Sequence, residues 1–275
     1  MDLPTLGPAD LDAIAALCRR SLADPPEPDE LAACLFAPDQ PATVRGDPDT
    51  GVVATVTSTD PASDEGFVRL LAVDPAHRGH GAGRALLAAA EADLAGKSAI
   101  TVGADAPYYL YPGAPASETA LLCLLERARY QRAEANFNMD VDLGRLPEDP
   151  GGTTLASGQD RDEVGAWMAA NWANWRAEAL RALDKGSLLL SRDREGIAGF
   201  CAWDVNRRGL LGPIAVRLDL IGRGVGVPLL VGGLHRMRQS GRSRAQVAWV
   251  GPIVPYARVG GVVGQVFFVY RKRLR

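Results

Sequence analysis

The sequence predicts an α/β protein built from two copies of one domain. Three observations carry this. An apolar run, a glycine-rich turn and an amphipathic helix succeed one another over residues 68–94. The same succession returns over residues 209–239. Strand-like and helix-like patterns surround both stretches in the same order.

In the first stretch Val68, Leu70, Leu71 and Val73 read as a strand. Leu86, Leu87, Ala90 and Leu94 repeat every three to four residues, as one buried helical stripe requires. Between them lies the loop Gly79, His80, Gly81, Ala82, Gly83, flanked by the cations Arg78 and Arg84. Alternate glycines keep side chains away, so backbone N–H groups can converge on an anion. The helix N-terminus adds its partial positive charge. The chemistry this suggests is pyrophosphate binding, with Arg78 as a charged clamp.

Residues 215–230 align with residues 72–87 without a gap, an offset of 143 from Ala72 to Ala215. Gly222, Gly224 and Gly226 match the three glycines, and the flanking Ala215-Val216 and Leu229-Leu230 pairs match too. Arg223 lies inside this second loop, but Ile221 stands where Arg78 aligns and Leu218 where Pro75 aligns. One repetition at half the chain length means a duplicated domain; a solenoid would repeat every 20–50 residues or so.

The bulk properties agree. At 275 residues the chain has room for two cores, and 47% hydrophobic with 23% charged residues is ordinary for a globular protein. A net charge of −3 argues against a nucleic-acid partner, and the basic end Arg271, Lys272, Arg273, Arg275 reads as a solvated strand end. No apolar stretch approaches the roughly 20 residues needed to span a bilayer, so no membrane partner is expected, and the start lacks the features of a signal peptide. The four cysteines show no metal-ligand spacing, which fits free thiols in a reducing cytoplasm. Of three histidines, His77 and His80 lie in the loop and His235 on a helix, so neither a metal site nor a Ser-His triad is expected. Gly96-Lys97-Ser98 mimics the end of a phosphate-binding P-loop, but Glu91 occupies the required glycine position and a strand follows.

In chain order, helices are expected over 8–21 and 29–36, strands over 42–45, 52–57 and 67–73, and a strand over 98–102 after the glycine helix. Tyr108, Tyr109 and Tyr111 then occupy an irregular stretch and read as a pocket wall or an aromatic cap. A helix over 117–129 and strand structure over 130–141 complete the first domain, 1–143. Residues 144–152 are polar with Pro and Gly and read as a linker. The second domain, 153–275, repeats the order: strand, helices over 159–172 and 174–185, strands over 187–190, 197–204 and 209–216, the loop and helix, a strand over 245–250, a short helix over 253–259 and a strand over 262–270. Trp172 and Trp175 fall among its first helices and read as packing or as the floor of a site.

The stretch 72–87 resembles the coenzyme A-binding signature of the GNAT family of N-acetyltransferases, Arg/Gln-x-x-Gly-x-Gly/Ala after a hydrophobic strand. Arg78, Gly81 and Gly83 match it, as does Val73-x-Pro75 before it. The resemblance extends over nearly the whole chain. It implies two GNAT-type acyl-CoA N-acyltransferase domains, each a mixed, mostly antiparallel sheet flanked by helices and splayed where acetyl-CoA enters. It implies that the pantetheine lies along Leu71, Ala72 and Val73 in the first copy and along Ile214, Ala215 and Val216 in the second. It also implies that the first two helices of each half border the acceptor groove.

In the family a tyrosine inside Tyr-x-x-x-Gly-Phe often protonates the leaving thiolate. Tyr256 stands at that place in the second copy. The first copy has Leu125 there, with Arg129 at the glycine position, so Tyr108, Tyr109 or Tyr111 would have to substitute, Tyr111 being the candidate taken. For a general base the resemblance points to carboxylates near the central strands: Glu65 beside Asp64, or Asp204 in the second half. Arg217 or Arg223 would replace the charge lost at Ile221. The implied activity is N-acetyl transfer from acetyl-CoA, held chiefly by the first domain, to a small-molecule or peptide amine, by a monomer or homodimer. The rival implied by the complementary losses is a non-catalytic acetyl-CoA sensor or scaffold. The layout is similar to the tandem arrangement that makes mycothiol, but acceptor-binding residues cannot be matched. A nucleotide-binding Rossmann domain would need the glycine loop after its first strand, and here several strands precede it.

Overall fold

The duplication becomes two units with one strand order. The computed structural model describes residues 3–60 and 62–274; Met1, Asp2, Pro61 and Arg275 lie outside the described residues. Two compact units emerge, Met1–Asn136 with Val266–Arg275, and Phe137–Gln265.

The first unit opens with β1 (Thr5–Leu6), α1 (Leu11–Ser21), α2 (Pro28–Leu35), β2 (Thr43–Asp47), β3 (Gly51–Thr57) and β4 (Glu65–Val73). It continues with α3 (Ala82–Asp93), β5 (Ala99–Val102), β6 (Ala114–Pro115), α4 (Thr119–Arg127) and the start of β7 (Gln131–Asp142). β1 through β5 pair in sequence order. Every pairing is antiparallel except that of β4 with β5. β3, Gly-Val-Val-Ala-Thr-Val, is apolar on both faces because helices cover both. Ile14, Leu17 and Cys18 of α1 share a cluster with Leu31 and Leu35 of α2 and with Val52 and Leu70 of the sheet. Leu86, Leu87 and Ala90 of α3 pack with Val53 and Ile100 on the opposite face.

The second unit holds the remainder of β7, then β8 (Thr153–Leu155), α5 (Arg161–Asn171), α6 (Arg176–Asp184), β9 (Leu188–Asp193), β10 (Gly196–Trp203) and β11 (Leu210–Val216). α7 (Gly226–Gln239), β12 (Arg244–Val247), α8 (Ile253–Ala257) and the start of β13 (Val262–Arg273) follow. Its sheet runs β8, β9, β10, β11, β12, β7, and again a single pair, β11 with β12, is parallel. α5 and α6 cover one face and α7 the other.

The expected division at 144–152 differs from the compact units. β5 has two edges to satisfy. One meets β4; the other meets the end of β13, Tyr270 opposite Val102 and Arg273 opposite Ala99. Phe267 and Tyr270, 2% and 1% exposed, sit in the two core clusters of the first unit. Residues 139–142 instead pair with Arg244–Val247 and bring Met139 and Val141 into the core beneath α7. A strand belongs to the sheet whose open edge it closes, whatever its place in the sequence.

Phe267→Ala is expected to lower the stability of the first unit by about 3–5 kcal/mol. Hydrogen exchange across a urea series checks this: peptides from β3 should lose protection at lower urea than in the wild type, while peptides from β10 keep theirs.

Candidate active site

Each parallel pair is short, and its strands part beyond it. β4 pairs with β5 only where Glu65–Val68 lie opposite Ala99–Val102. From Arg69 onward β4 stays attached to β3 alone, with Leu71 opposite Val53, Ala72 opposite Val52 and Val73 opposite Gly51. The other edge of Leu71, Ala72 and Val73 borders the splay. β4 ends at Asp74, whose carboxylate accepts from the Ala76 N–H at 2.9 Å and caps a 3-10 turn over Pro75–His77. Arg20 Nε donates to the same carboxylate at 2.5 Å, and Arg20 Nη2 to the Pro48 carbonyl at 2.7 Å. The Arg20 hydrogen bond, with that from Ala76, holds the Asp74 carboxyl below its ordinary range.

The glycines of the loop have separate duties. Gly79 and Gly81 adopt φ of +80° and +93°, where a side chain would be strained, and Gly81 is the N-cap of α3. A Cβ on Gly83 would lie 3.0 Å from Leu124 Cδ2, so its bareness lets α3 approach α4. The N–H groups of Ala82, Gly83 and Arg84 open the helix and have no partner within it. Arg78 bends back over the end of β4, donating from Nε to the Val73 carbonyl at 3.2 Å and from Nη2 to the Ser21 carbonyl at 2.6 Å. Gly79, His80 and Arg84 are exposed around it. Arg78, Gly79, His80, Gly81, Ala82, Gly83 and Arg84 are thus gathered beside Leu71–Val73 into a cationic, N–H-rich cradle that fits a pyrophosphate.

The splay of the first unit is filled. Arg69 is fully buried; it donates from Nε to Asp105 Oδ2 at 2.5 Å, from Nη1 to the Cys34 carbonyl and from Nη2 to Gln40 Oε1 at 3.0 Å. Its guanidinium lies 5.7 Å from the Tyr108 ring centroid. Burial pushes the Asp105 carboxyl up, against the pull of Arg69. The Tyr108 hydroxyl donates to Asp39 and the Tyr111 hydroxyl to the Asp24 carbonyl at 2.5 Å. All three tyrosines are buried, and Tyr111 packs beside Phe267, so they form a cap. The Tyr111 hydroxyl, the expected substitute acid, thus donates to a backbone carbonyl. Glu65, the expected base, pairs with Arg271 at the far end of β4, eight residues or roughly 26 Å from Val73.

The second loop keeps the backbone and loses the charge. Gly222 and Gly224 adopt φ of +79° and +85°, close to Gly79 and Gly81, and Gly226 opens α7. Leu218, Ile221 and Val227, at the places of Pro75, Arg78 and Arg84, are 55%, 60% and 45% exposed. Arg217 pairs with Asp193, Glu195 and Asp219, and the carboxylates raise its pKa. It is therefore spent, and exposed Arg223 is the cation left at this loop. Ala215 and Val216 are half-buried, and the Val216 carbonyl accepts from Trp172 Nε1 at 2.9 Å. Trp172 stacks on Trp175 at 5.1 Å, both against the core under α5 and α6. Asp204 pairs with Arg242 and accepts from the Gly209 N–H. Tyr256, on α8, packs against the core under α7; among the described residues nothing hydrogen-bonds its hydroxyl, and burial pushes its pKa up to about 12.

Arg69 and Asp105 were not legible as a pair. The available signal was one charge inside the apolar run Val68–Val73, since a strand that central buries a charge only with a partner.

The profile of the acetyltransferase (GNAT) family matches residues 9–107. A mycothiol acetyltransferase of Clavibacter sepedonicus is 31% identical over 203 residues, 67% of this chain and 64% of that protein. The chain thus covers less than two thirds of that relative. Among solved structures, a GCN5-related glucosamine N-acetyltransferase region of a fungal multi-domain β-N-acetylglucosaminidase superposes with a TM-score of 0.80 at 19% identity, over 98% of this chain and 38% of that one. A tandem GNAT protein from the clavulanic acid biosynthesis pathway gives 0.70 at 16% identity, over 99% and 98%. At these identities the structures speak for the fold.

Arg69→Met should leave Asp105 as a buried charge without a partner and lower stability by about 3–5 kcal/mol, while Arg69→Met with Asp105→Leu regains at least half of that. Urea unfolding of both variants checks the order.

Proposed function

The chain belongs to the GNAT acetyltransferase family, and we propose that it transfers an acetyl or other short acyl group from coenzyme A to an amine. The observation that carries this is the cradle beside β4: two left-handed glycines, the open N-terminus of α3, and Arg78 and Arg84 at one strand end. The charge difference between the loops favours the first unit as the chief coenzyme site. The second loop, with the same backbone turn and Arg223 alone, is the weaker one.

Bound acetyl-CoA supplies the thioester carbonyl and the leaving thiolate. In the transfer an N–C bond forms, the C–S bond breaks, the amine gives up one proton and the sulfur takes one. The protein's part is to bind, orient and handle those two protons. Arg78 exchanges its carbonyl partners at Val73 and Ser21 for phosphate oxygens, a stronger charge-assisted pairing. The edge of Leu71–Val73, and of Ile214–Val216 in the second copy, orients the pantetheine. For coenzyme bound at the second loop, Tyr256 of the same unit keeps its proton through the physiological range, as a donor to the thiolate must. Acceptors are small-molecule or peptide amines. Among the described residues no helix is long and apolar enough to cross a membrane, and Cys18, Cys34, Cys123 and Cys201 are all free thiols, in keeping with a cytoplasmic setting.

One observation favours a second reading, an acyl-CoA sensor without turnover: Arg69 and its partners occupy the first splay, where an acceptor would stand. Release of free thiol from acetyl-CoA in the presence of amines separates the two readings, since a sensor releases none.

Calorimetric titration should show acetyl-CoA binding weakened roughly 10–100-fold by Arg78→Ala. Absence of binding to folded wild-type protein would sink both readings. Tyr256→Phe should lower kcat about 100-fold or more with acetyl-CoA affinity unchanged, and in the wild type this group should cause no fall in kcat between pH 7 and 10.

A further inference from the structure

The carbonyl that Arg78 holds in the first unit has a counterpart in the second, and a different kind of residue holds it. In the first unit the Asp74 N–H donates to the Thr50 carbonyl at 2.9 Å, one step past the pair Val73–Gly51. Alternation along an antiparallel ladder then turns the carbonyl of Val73 away from β3. In the second unit the Arg217 N–H donates to the Ala198 carbonyl at 2.8 Å, one step past the pair Val216–Gly199. Val216, at the place of Val73, therefore turns its carbonyl away from β10. It lies beyond Leu211, the last residue of β11 opposite β12. Arg78 Nε donates to the Val73 carbonyl at 3.2 Å. The donor to the Val216 carbonyl is Trp172 Nε1, at 2.9 Å.

The two donors come from different elements and differ in charge. Arg78 belongs to the glycine loop, and a phosphate oxygen is a stronger acceptor for its guanidinium than a carbonyl is. A bound pyrophosphate thus draws Arg78 off the strand edge. Trp172 is the C-cap of α5, and Ile221, at the loop position of Arg78, has no side-chain donor. The indole is neutral, with one N–H to give, so a phosphate has little hold on it. It is also anchored. Its ring stacks on Trp175 at 5.1 Å with 14° between the planes, and both pack against the core cluster that Ala215 also touches. Lifting this ring breaks a hydrogen bond and an aromatic stack together.

The pantetheine arm of an acyl-CoA carries amide groups, and a strand edge pairs with them only where its own N–H and carbonyl groups are free to do so. Resting on the acyltransferase reading, we propose that Trp172 is a latch on the second unit: its indole holds the outward edge of β11 until acyl-CoA displaces it. The second loop then binds coenzyme only in the fraction of molecules whose latch is open, and its apparent affinity falls by that fraction. Ile221 and Trp172 act on different atoms. The first removes an attraction from the loop; the second places an obstacle on the strand. Trp172 is a positioning residue, since it sets the state of the edge and takes no part in the transfer itself.

All five tryptophans, Trp167, Trp172, Trp175, Trp203 and Trp249, lie within Phe137–Gln265, so their indole N–H signals report on the second unit. The test titrates acetyl-CoA into the full chain and follows those signals by NMR. In the wild type the Trp172 N–H should move upfield as acetyl-CoA binds, the mark of a lost hydrogen bond. Trp172→Phe keeps a ring against Trp175 and removes the N–H. In that variant the Trp175 signal should reach its midpoint at about threefold to tenfold lower acetyl-CoA. Adding Gly224→Glu, which puts a charged side chain at φ +85°, should abolish the Trp175 response and so place it at the second loop. A Trp172 N–H that stays put while Trp175 responds overturns the latch. A midpoint in Trp172→Phe equal to or above that of the wild type overturns it, as does no indole response in either protein. In the last case, calorimetric binding weakened by Arg78→Ala leaves the acyltransferase reading standing, and absence of all binding overturns that reading too.

Discussion

Everything functional in this chain depends on one constraint, the parting of the single parallel strand pair in each sheet. A parallel pair that ran its full length would satisfy the backbone of both strands and leave no edge for a ligand. Here β4 and β5 stay together for four residues, and β11 and β12 for two. Beyond that, the inner strand keeps its antiparallel neighbour and turns its other edge to the gap. The glycine loop follows at the end of that strand, so the anion cradle and the free edge are adjacent because the chain has no other way to proceed from strand to helix. Site and fold are the same feature seen at two scales.

The two copies show how much of such a site is backbone and how much is side chain. Gly79 and Gly81 differ from Gly222 and Gly224 by a few degrees of φ, so the turn survives. The charges around it have been rewritten. Asp74, tethered to Arg20 of α1, aligns with Arg217, tethered to Asp193 and Glu195 between β9 and β10. The sign is inverted and the partner comes from a different element, yet each bridge fixes the entry to its loop. In the first unit the tie runs to a helix beside the groove. In the second it runs to a hairpin, and α5 and α6 are released from the loop's charge. The same backbone is thus set for different work by a handful of side chains.

What was legible in the sequence follows from range. The loop, its helix and the flanking strand are local: glycine spacing and a 3.6-residue stripe are enough to place them, and α3, α7, β4 and β11 fall where those signals put them. The carboxylate and tyrosine assignments required knowledge of where a side chain ends. Glu65 is near the central strand in sequence but at its wrong end, and the Tyr111 hydroxyl reaches a carbonyl 87 residues away. The placement of β13 was less legible still. Its apolar pattern shows a strand, but nothing in residues 262–270 says that its second half closes the edge of β5, with Tyr270 opposite Val102, 168 residues earlier.

The contrast between Arg69 and Gly212 gives the duplication its sense. Burying a guanidinium obliges the structure to supply a carboxylate, a carbonyl and an amide, and the first unit supplies Asp105, Cys34 and Gln40 for it. That expense is hard to explain as loop filling, since an aliphatic side chain would fill the same space without it. It is explained if rigidity at the end of β4 matters. The ion pair ties the strand to the segment after β5 and to α2, and Leu71–Val73 emerge from a clamped base toward a cradle rich in charge. In the second unit Gly212, which has no side chain, stands at the matching place, so that sheet is built without such a clamp.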